Sequence, residues 1–263
     1  MTRMFHVSDL HFGKADLGAL DWFSGIVRQE QPDIVVVTGD LTMRGRRREF
    51  AAAAEWLQAL KVPVTIEPGN HDMPYINLFE RFIDPLRRYR TVERAIEQDH
   101  DLETARVISL RTTARAQLRR NWSRGIVRSN SLADTLAKLE TTRDSRAAII
   151  ACHHPLVDKA KWASEGRTRH GLPALRALAR AGATAVLSGH VHDPFDISWE
   201  EEGRTVRLIG AGTLSERVRL TPPSFNELRI APGGAIDVRV RAMDASEEAT
   251  HPLVTEAPAN AAA

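Results

Sequence analysis

Short blocks of consecutive apolar residues alternate with longer stretches of helical period over the first two thirds of the chain. Met4-Phe5-His6-Val7-Ser8 reads as a strand. Leu17, Leu20, Phe23, Ile26 and Val27 follow at helical spacing, and Pro32-Asp33 stops that helix. Residues 34–37 are β-branched and apolar throughout, the pattern of a strand covered on both faces. The alanine-rich stretch 47–60 predicts a second helix with Phe50, Ala54, Leu57 and Leu60 on one side. Residues 62–66 predict a third strand starting at Val64, because Pro63 cannot donate to a ladder. This order implies parallel strands joined by right-handed crossovers.

Residues 75–88 are expected to be helical, and 90–102 show no clear period. Residues 105–110 predict a strand, and 111–128 are basic and irregular. A helix is expected from Ser131, with Asp134 as its capping partner. Residues 147–152 read as a buried strand and 156–171 as a polar loop. Pro173 opens a helix that Gly182 ends, and 185–188 form a further strand. The pattern then changes to two hairpins, 195–199 with 205–209 and 225–230 with 235–240, expected to complete a second sheet. Residues 1–244 are thus read as one α/β catalytic domain. Residues 245–263, rich in Ala, Glu, Pro and Thr, are read as a disordered tail.

Composition narrows the function classes. With 36 Lys+Arg against 34 Asp+Glu the net charge is +2, so nothing draws the chain to nucleic acid, and nucleic acid is not expected as a partner. No stretch is long and apolar enough to span a bilayer. Met1 to Leu10 carries Arg3, His6 and Asp9, which interrupt any secretory signal, and the single Cys152 cannot form an internal disulfide. A cytoplasmic protein is the expectation.

Chemistry-bearing residues collect where the strands end: Asp9-Leu10-His11, Gly39-Asp40, Gly69-Asn70-His71-Asp72, His153-His154-Pro155 and Gly189-His190-Val191-His192. Ligands gather at the carboxyl ends of parallel strands. Asp9, His11, Asp40, Asn70, His153, His190 and His192 are the candidate metal ligands. Mixed oxygen and imidazole donors suit manganese, iron, zinc or cobalt rather than a thiolate site or a calcium cage. Seven ligands are too many for one catalytic ion and suit two that share a carboxylate. Asp40 lies between the two sets and is the candidate bridge. Two such ions about 3.5–4 Å apart clamp a phosphoryl group and acidify the attacking water to hydroxide. His71 is the expected catalytic residue, stabilising charge or protonating the leaving alkoxide, with Asp72 orienting it.

These five motifs, in this order, resemble those of the calcineurin-like metallophosphoesterases from about Met4 to His192. The resemblance implies a four-layer α-β-β-α sandwich around two central mixed sheets. It implies one metal held by Asp9, His11, Asp40 and His192, and another by Asp40, Asn70, His153 and His190. His153 is carried over rather than His154 because the family's ligand stands two before proline. Within the family, chain size and Asp-Leu-His-Phe resemble the bacterial class III cyclic nucleotide phosphodiesterases. A lipid-A precursor pyrophosphatase branch also begins Asp-Leu-His, but typically has arginine where this chain has His71.

The expected activity is hydrolysis of small phosphodiesters, cyclic nucleotides first. Phosphomonoesterase or pyrophosphatase activity is the alternative. A non-catalytic scaffold would be expected to have lost ligands, and none is missing. The hairpin end offers an edge for a second copy, so a homo-oligomer is compatible with the pattern.

Overall fold

The computed structural model describes residues 1–74, 77–97, 101–114, 123–141, 146–157 and 168–243. β1 (Thr2–Val7), α1 (Leu17–Glu30), β2 (Ile34–Val37), α2 (Arg47–Ala59) and β3 (Val64–Ile66) follow in the expected order. Asp16 caps α1 by accepting from the Ala19 amide. β1, β2 and β3 pair in parallel. The second unit is β4 (Ala105–Ser109), α5 (Ser129–Thr141), β5 (Ala147–Ala151), α6 (Gly171–Ala181) and β6 (Ala185–Ser188), again with parallel strands.

Two hairpins close the chain, β7 (Phe195–Glu201) with β8 (Arg204–Gly210) and β9 (Ser224–Ile230) with β10 (Ile236–Ala242). They were expected to complete one sheet, but they part. β8 adds in parallel to β6, whereas β9 returns to pair antiparallel with β1. The described strands thus form two sheets of five, in the orders β10-β9-β1-β2-β3 and β4-β5-β6-β8-β7.

Alternating side chains assign the layers. Phe5, Val7, Val35, Val37, Val64 and Ile66 pack with residues of α1, α2 and the later helix α4 (Arg87–Ile96). Ile108, Ile150, Val186 and Leu208 pack with α5 and α6. Met4, Ile34, Val36, Ile149, Ala151, Ala185, Leu187 and Leu228 meet between the sheets. The result is the expected four-layer sandwich, helices outside two mixed sheets. Among the described residues, no helix is long and apolar enough to cross a membrane.

Three local expectations need correction. The single helix over 75–88 is instead α3 (Leu78–Ile83) followed by α4. Pro85 separates them, because proline disfavours helical geometry in the residue before it. The stretch without a clear period enters α4, where Tyr89, Val92 and Ile96 are buried. α5 starts at Ser129, so Ser131 lies inside it and its hydroxyl donates to Arg111 O at 3.0 Å rather than capping with Asp134. The tail 245–263 and residues 115–122 of the basic segment lie outside the described residues.

Candidate metal centre

Every parallel strand that delivers a candidate ligand ends on the same side of its sheet. Asp9 and His11 follow β1, Asp40 follows β2, Asn70 follows β3, His153 follows β5, and His190 and His192 follow β6. The loops bind one another through their backbones. Asp9 N donates to Gly39 O at 3.0 Å, His11 N to Asp40 O at 2.9 Å, and Gly189 N to His153 O at 2.9 Å. His190 N donates to Asp9 Oδ2 at 2.8 Å, joining a loop of one sheet to a loop of the other.

Close approach explains two of the glycines. A Cβ at Gly189 would lie 2.6 Å from Asp9 Oδ2 and nearer still to Ser8 Oγ, and one at Gly69 would run into the Asp40 backbone. Five candidate ligands adopt left-handed backbone geometry: Asp9 (φ 56°), His11 (47°), Asp40 (53°), His190 (69°) and His192 (61°). Such strain in non-glycine residues persists only where the surroundings over-determine it.

The side chains form overlapping clusters. Asp9, His11 and His192 offer ligand atoms within 4.8 Å of one another, and so do Asp9, Asp40 and His153. Asp40 Oδ2 is 3.8 Å from His11 Nε2 and 3.4 Å from His153 Nε2, so it faces both sets. Asn70 Oδ1 is 3.2 Å from His153 Nε2, and the His153 and His190 rings lie 5.2 Å apart. Carbonyl partners set the tautomers, because a carbonyl only accepts. His153 Nδ1 donates to Thr38 O at 2.8 Å and His192 Nδ1 to Arg217 O at 2.7 Å. Each Nε2 is thereby turned toward the carboxylates, the nitrogen that can give a lone pair once a cation takes the place of its proton.

These donors fit a cation. His11 Nε2 and His192 Nε2 face each other at 3.4 Å, although two nitrogens can share at most one proton. The buried Asp9 Oδ1 receives no hydrogen bond of regular geometry, with His192 Nε2 3.1 Å away. Two lone pairs and an unsatisfied buried carboxylate oxygen around one point are what a divalent ion relieves.

A model of the calcineurin-like phosphoesterase family matches residues 2–194. The chain belongs to the calcineurin-like phosphoesterase family. Over 247 residues, 88% of this chain and 83% of the other, it is 23% identical to the 3′,5′-cyclic adenosine monophosphate phosphodiesterase CpdA of Escherichia coli K12. It is 40% identical over 78 residues to the glycerophosphodiester phosphodiesterase GpdQ of Enterobacter lignolyticus, a match spanning 26% of this chain and only 28% of that protein. The fold is similar to that of a dimetal phosphatase from Danio rerio (TM-score 0.58, 14% identity, covering 91% of this chain and 95% of that one).

In this calcineurin-like phosphoesterase the charges are arranged for metal-dependent ester hydrolysis, and the family depends on a dinuclear centre. Burial alone would raise both central carboxyls. Burial is the largest single influence at each, but at Asp9 the charges and hydrogen bonds of His192, His11 and His153 together overcome it, and at Asp40 those of His153, His71 and His11 do, so both stay well below the usual carboxylate range. Burial would lower His153, but Asp40, Asp9 and the Thr38 carbonyl together push it up to about 9. Burial and the His153 charge push His190 down to about 3, leaving a neutral ring. Burial also lowers His71.

The geometry revises one assignment. Asp72 was expected to orient His71, but its oxygens accept from Leu41 N, Thr42 N, Thr42 Oγ1 and Gly69 N. It fastens the Asp40 loop to the Asn70 loop. The His71 ring is oriented instead by Met43 O, 2.7 Å from Nδ1. His154 lies beside His190 but has both nitrogens engaged, Nδ1 with Thr112 Oγ1 and Nε2 with Ser123 O, each at 2.9 Å. His170 precedes α6 on the surface, with Nδ1 donating to Val127 O at 3.2 Å. Arg111, from the basic segment, pairs with Glu93 at 3.0 Å.

One residue facing the site was not anticipated. Arg217 Nη1 lies 3.2 Å from both His11 Nε2 and His71 Nε2. A signal for it existed in the strand at 205–209, whose carboxyl end shares the ligand side once that strand is read as parallel to β6.

Proposed function

We propose that this protein is a two-metal phosphodiesterase acting on small phosphodiesters, with cyclic nucleotides as the leading class. The observation that carries the reading is Asp40, whose carboxylate faces both ligand sets at once. Asp9, His11, Asp40 and His192 would hold one ion, and Asp40, Asn70, His153 and His190 the other. Manganese, iron and zinc are the metals such donors suit. Bound there, two ions supply charge neutralisation at the phosphoryl oxygens and acidify a water for attack.

The remaining work falls to the chain. Asp9 and Asp40 stay ionised and give the site two fixed negative charges. His71, with Nδ1 held on Met43 O, turns Nε2 toward the cavity. There Nε2 takes up a proton and delivers it to the leaving alkoxide, a role worth roughly 10²–10⁴ in rate. Two similar proteins bear the name of phosphodiesterases, which supports diesters over monoesters.

The test is hydrolysis by metal-stripped protein resupplied with manganese. The panel holds a chromogenic diester, its matching monoester, 2′,3′- and 3′,5′-cyclic nucleotides, and a nucleotide-sugar pyrophosphate. Metal-dependent turnover that favours diesters is expected. Faster monoester or pyrophosphate turnover would replace this reading, and a protein that holds two ions but turns over nothing would return the scaffold.

A further inference from the structure

The carboxyl end of β8 also lies on the ligand side, and no candidate ligand follows it. From Gly210 the chain runs to Arg217 along a segment tied down on both sides. Thr213 Oγ1 donates to Asp9 O at 2.6 Å, and Glu216 N donates to Lys14 O at 3.1 Å. Arg217 O accepts from His192 Nδ1, and Asp193 Oδ1 accepts from the Leu220 and Thr221 amides, both at 3.0 Å. The backbone of Arg217 is therefore fixed against two ligand loops.

Its guanidinium points inward, and among the described residues no carboxylate lies within ion-pair distance of it. The two acceptors it faces have other tasks in the proposed reaction. Neither imidazole carries a negative charge, so the guanidinium charge is left to meet an anion. Arginine does not lose its charge near neutral pH, and its planar fork matches the oxygens of a phosphoryl group.

We infer that Arg217 is a substrate-binding residue that grips a non-bridging oxygen of the phosphoryl group beside His71. The inference rests on the phosphoesterase reading above and adds the residue that sets how the phosphoryl group is turned. The fork holds one face of the phosphorus, so the leaving oxygen is presented to His71 Nε2, its neighbour across the cavity.

Arg217→Gln and Arg217→Lys test this, because both keep the backbone hydrogen bond to His192. For manganese-loaded protein, metal content is measured by mass spectrometry, inorganic phosphate affinity by calorimetry, and KM and kcat on the chromogenic diester. Metal content should not change. Phosphate affinity should fall roughly ten- to hundredfold in Arg217→Gln, as expected for a charge-assisted hydrogen bond, and recover in part in Arg217→Lys. KM should rise in parallel.

Phosphate bound by Arg217→Gln as tightly as by the parent would overturn the inference, and so would loss of metal from that variant. A parent that binds phosphate through Arg217 yet hydrolyses no diester would overturn the diesterase reading alone. A metal-loaded parent that neither binds phosphate nor hydrolyses any ester would overturn both.

Discussion

Glu67 offers a test of the structure that does not depend on catalysis. It follows β3, is only 4% exposed, and its amide donates to Val37 O at 2.8 Å. Burial dominates its carboxyl; a Ser109 hydrogen bond and the Arg111 charge pull the other way and do not match it, so it is pushed up to about 8 from 4.5. The sign follows from proton uptake. Between about pH 4.5 and pH 8 the unfolded chain has released this proton while the native state keeps it, so stability falls as pH rises. Below that window both states are protonated, and above it both are ionised. One proton gives a slope of about 1.4 kcal/mol per pH unit, and about 3.5 units give a total near 5 kcal/mol. Glu67→Gln keeps the shape and the Ser109 contact but cannot ionise. Paired urea unfolding of parent and variant, at steps from about pH 5 to about pH 8, isolates this group because other titrations are shared. The variant's advantage should grow with that slope. Parallel stability curves would refute the placement of a neutral carboxyl in this core.

Other outcomes follow from the site and its supports. Asp40→Ala removes the carboxylate common to both ligand sets, so metal content should collapse and turnover should fall at least about 10³-fold, read by metal analysis beside the diester assay. His71→Ala should leave metal content intact and lower kcat roughly 10²–10⁴-fold; an unchanged kcat would remove its assigned role. Gly189→Ala forces a methyl against Ser8 and Asp9 and should cost about 1–3 kcal/mol or more in urea unfolding. By contrast, a Cβ at Gly25 inside α1 meets nothing within 4 Å, and Gly25→Ala should stabilise by up to about 1 kcal/mol.

Much of the architecture was legible because parallel strands buried on both faces leave unbroken apolar blocks, as at Ile34–Val37 and Ala185–Ser188. The candidate ligands stood out for a related reason: each lies in a loop that follows such a block, and the structure gathers those loops on one side of the sheets. What escaped depended on partners distant in sequence. The 195–209 hairpin shows its own turn, but nothing local reveals that β8 pairs with β6, and Arg217 went unnoticed with it. The return of β9 to β1 was hidden in the same way. Asp72 stood next to His71 in sequence, yet the tight turn over Asn70–Asp72 sends successive side chains in different directions. Pro85 was visible and should have divided the helix predicted across it.

The left-handed backbone at Asp9, His11, Asp40, His190 and His192 carries a lesson about drift. Each such residue costs on the order of 1 kcal/mol, so together they cost about 5 kcal/mol, comparable with the whole stability of a marginal domain. Glycine at any of the five would relieve that cost, and each such change lies one or two nucleotide substitutions away. Selection for stability alone would therefore erode these positions rather than keep them. A lineage released from the chemistry would drift here first, toward glycine or asparagine, and would gain stability as it lost its metals.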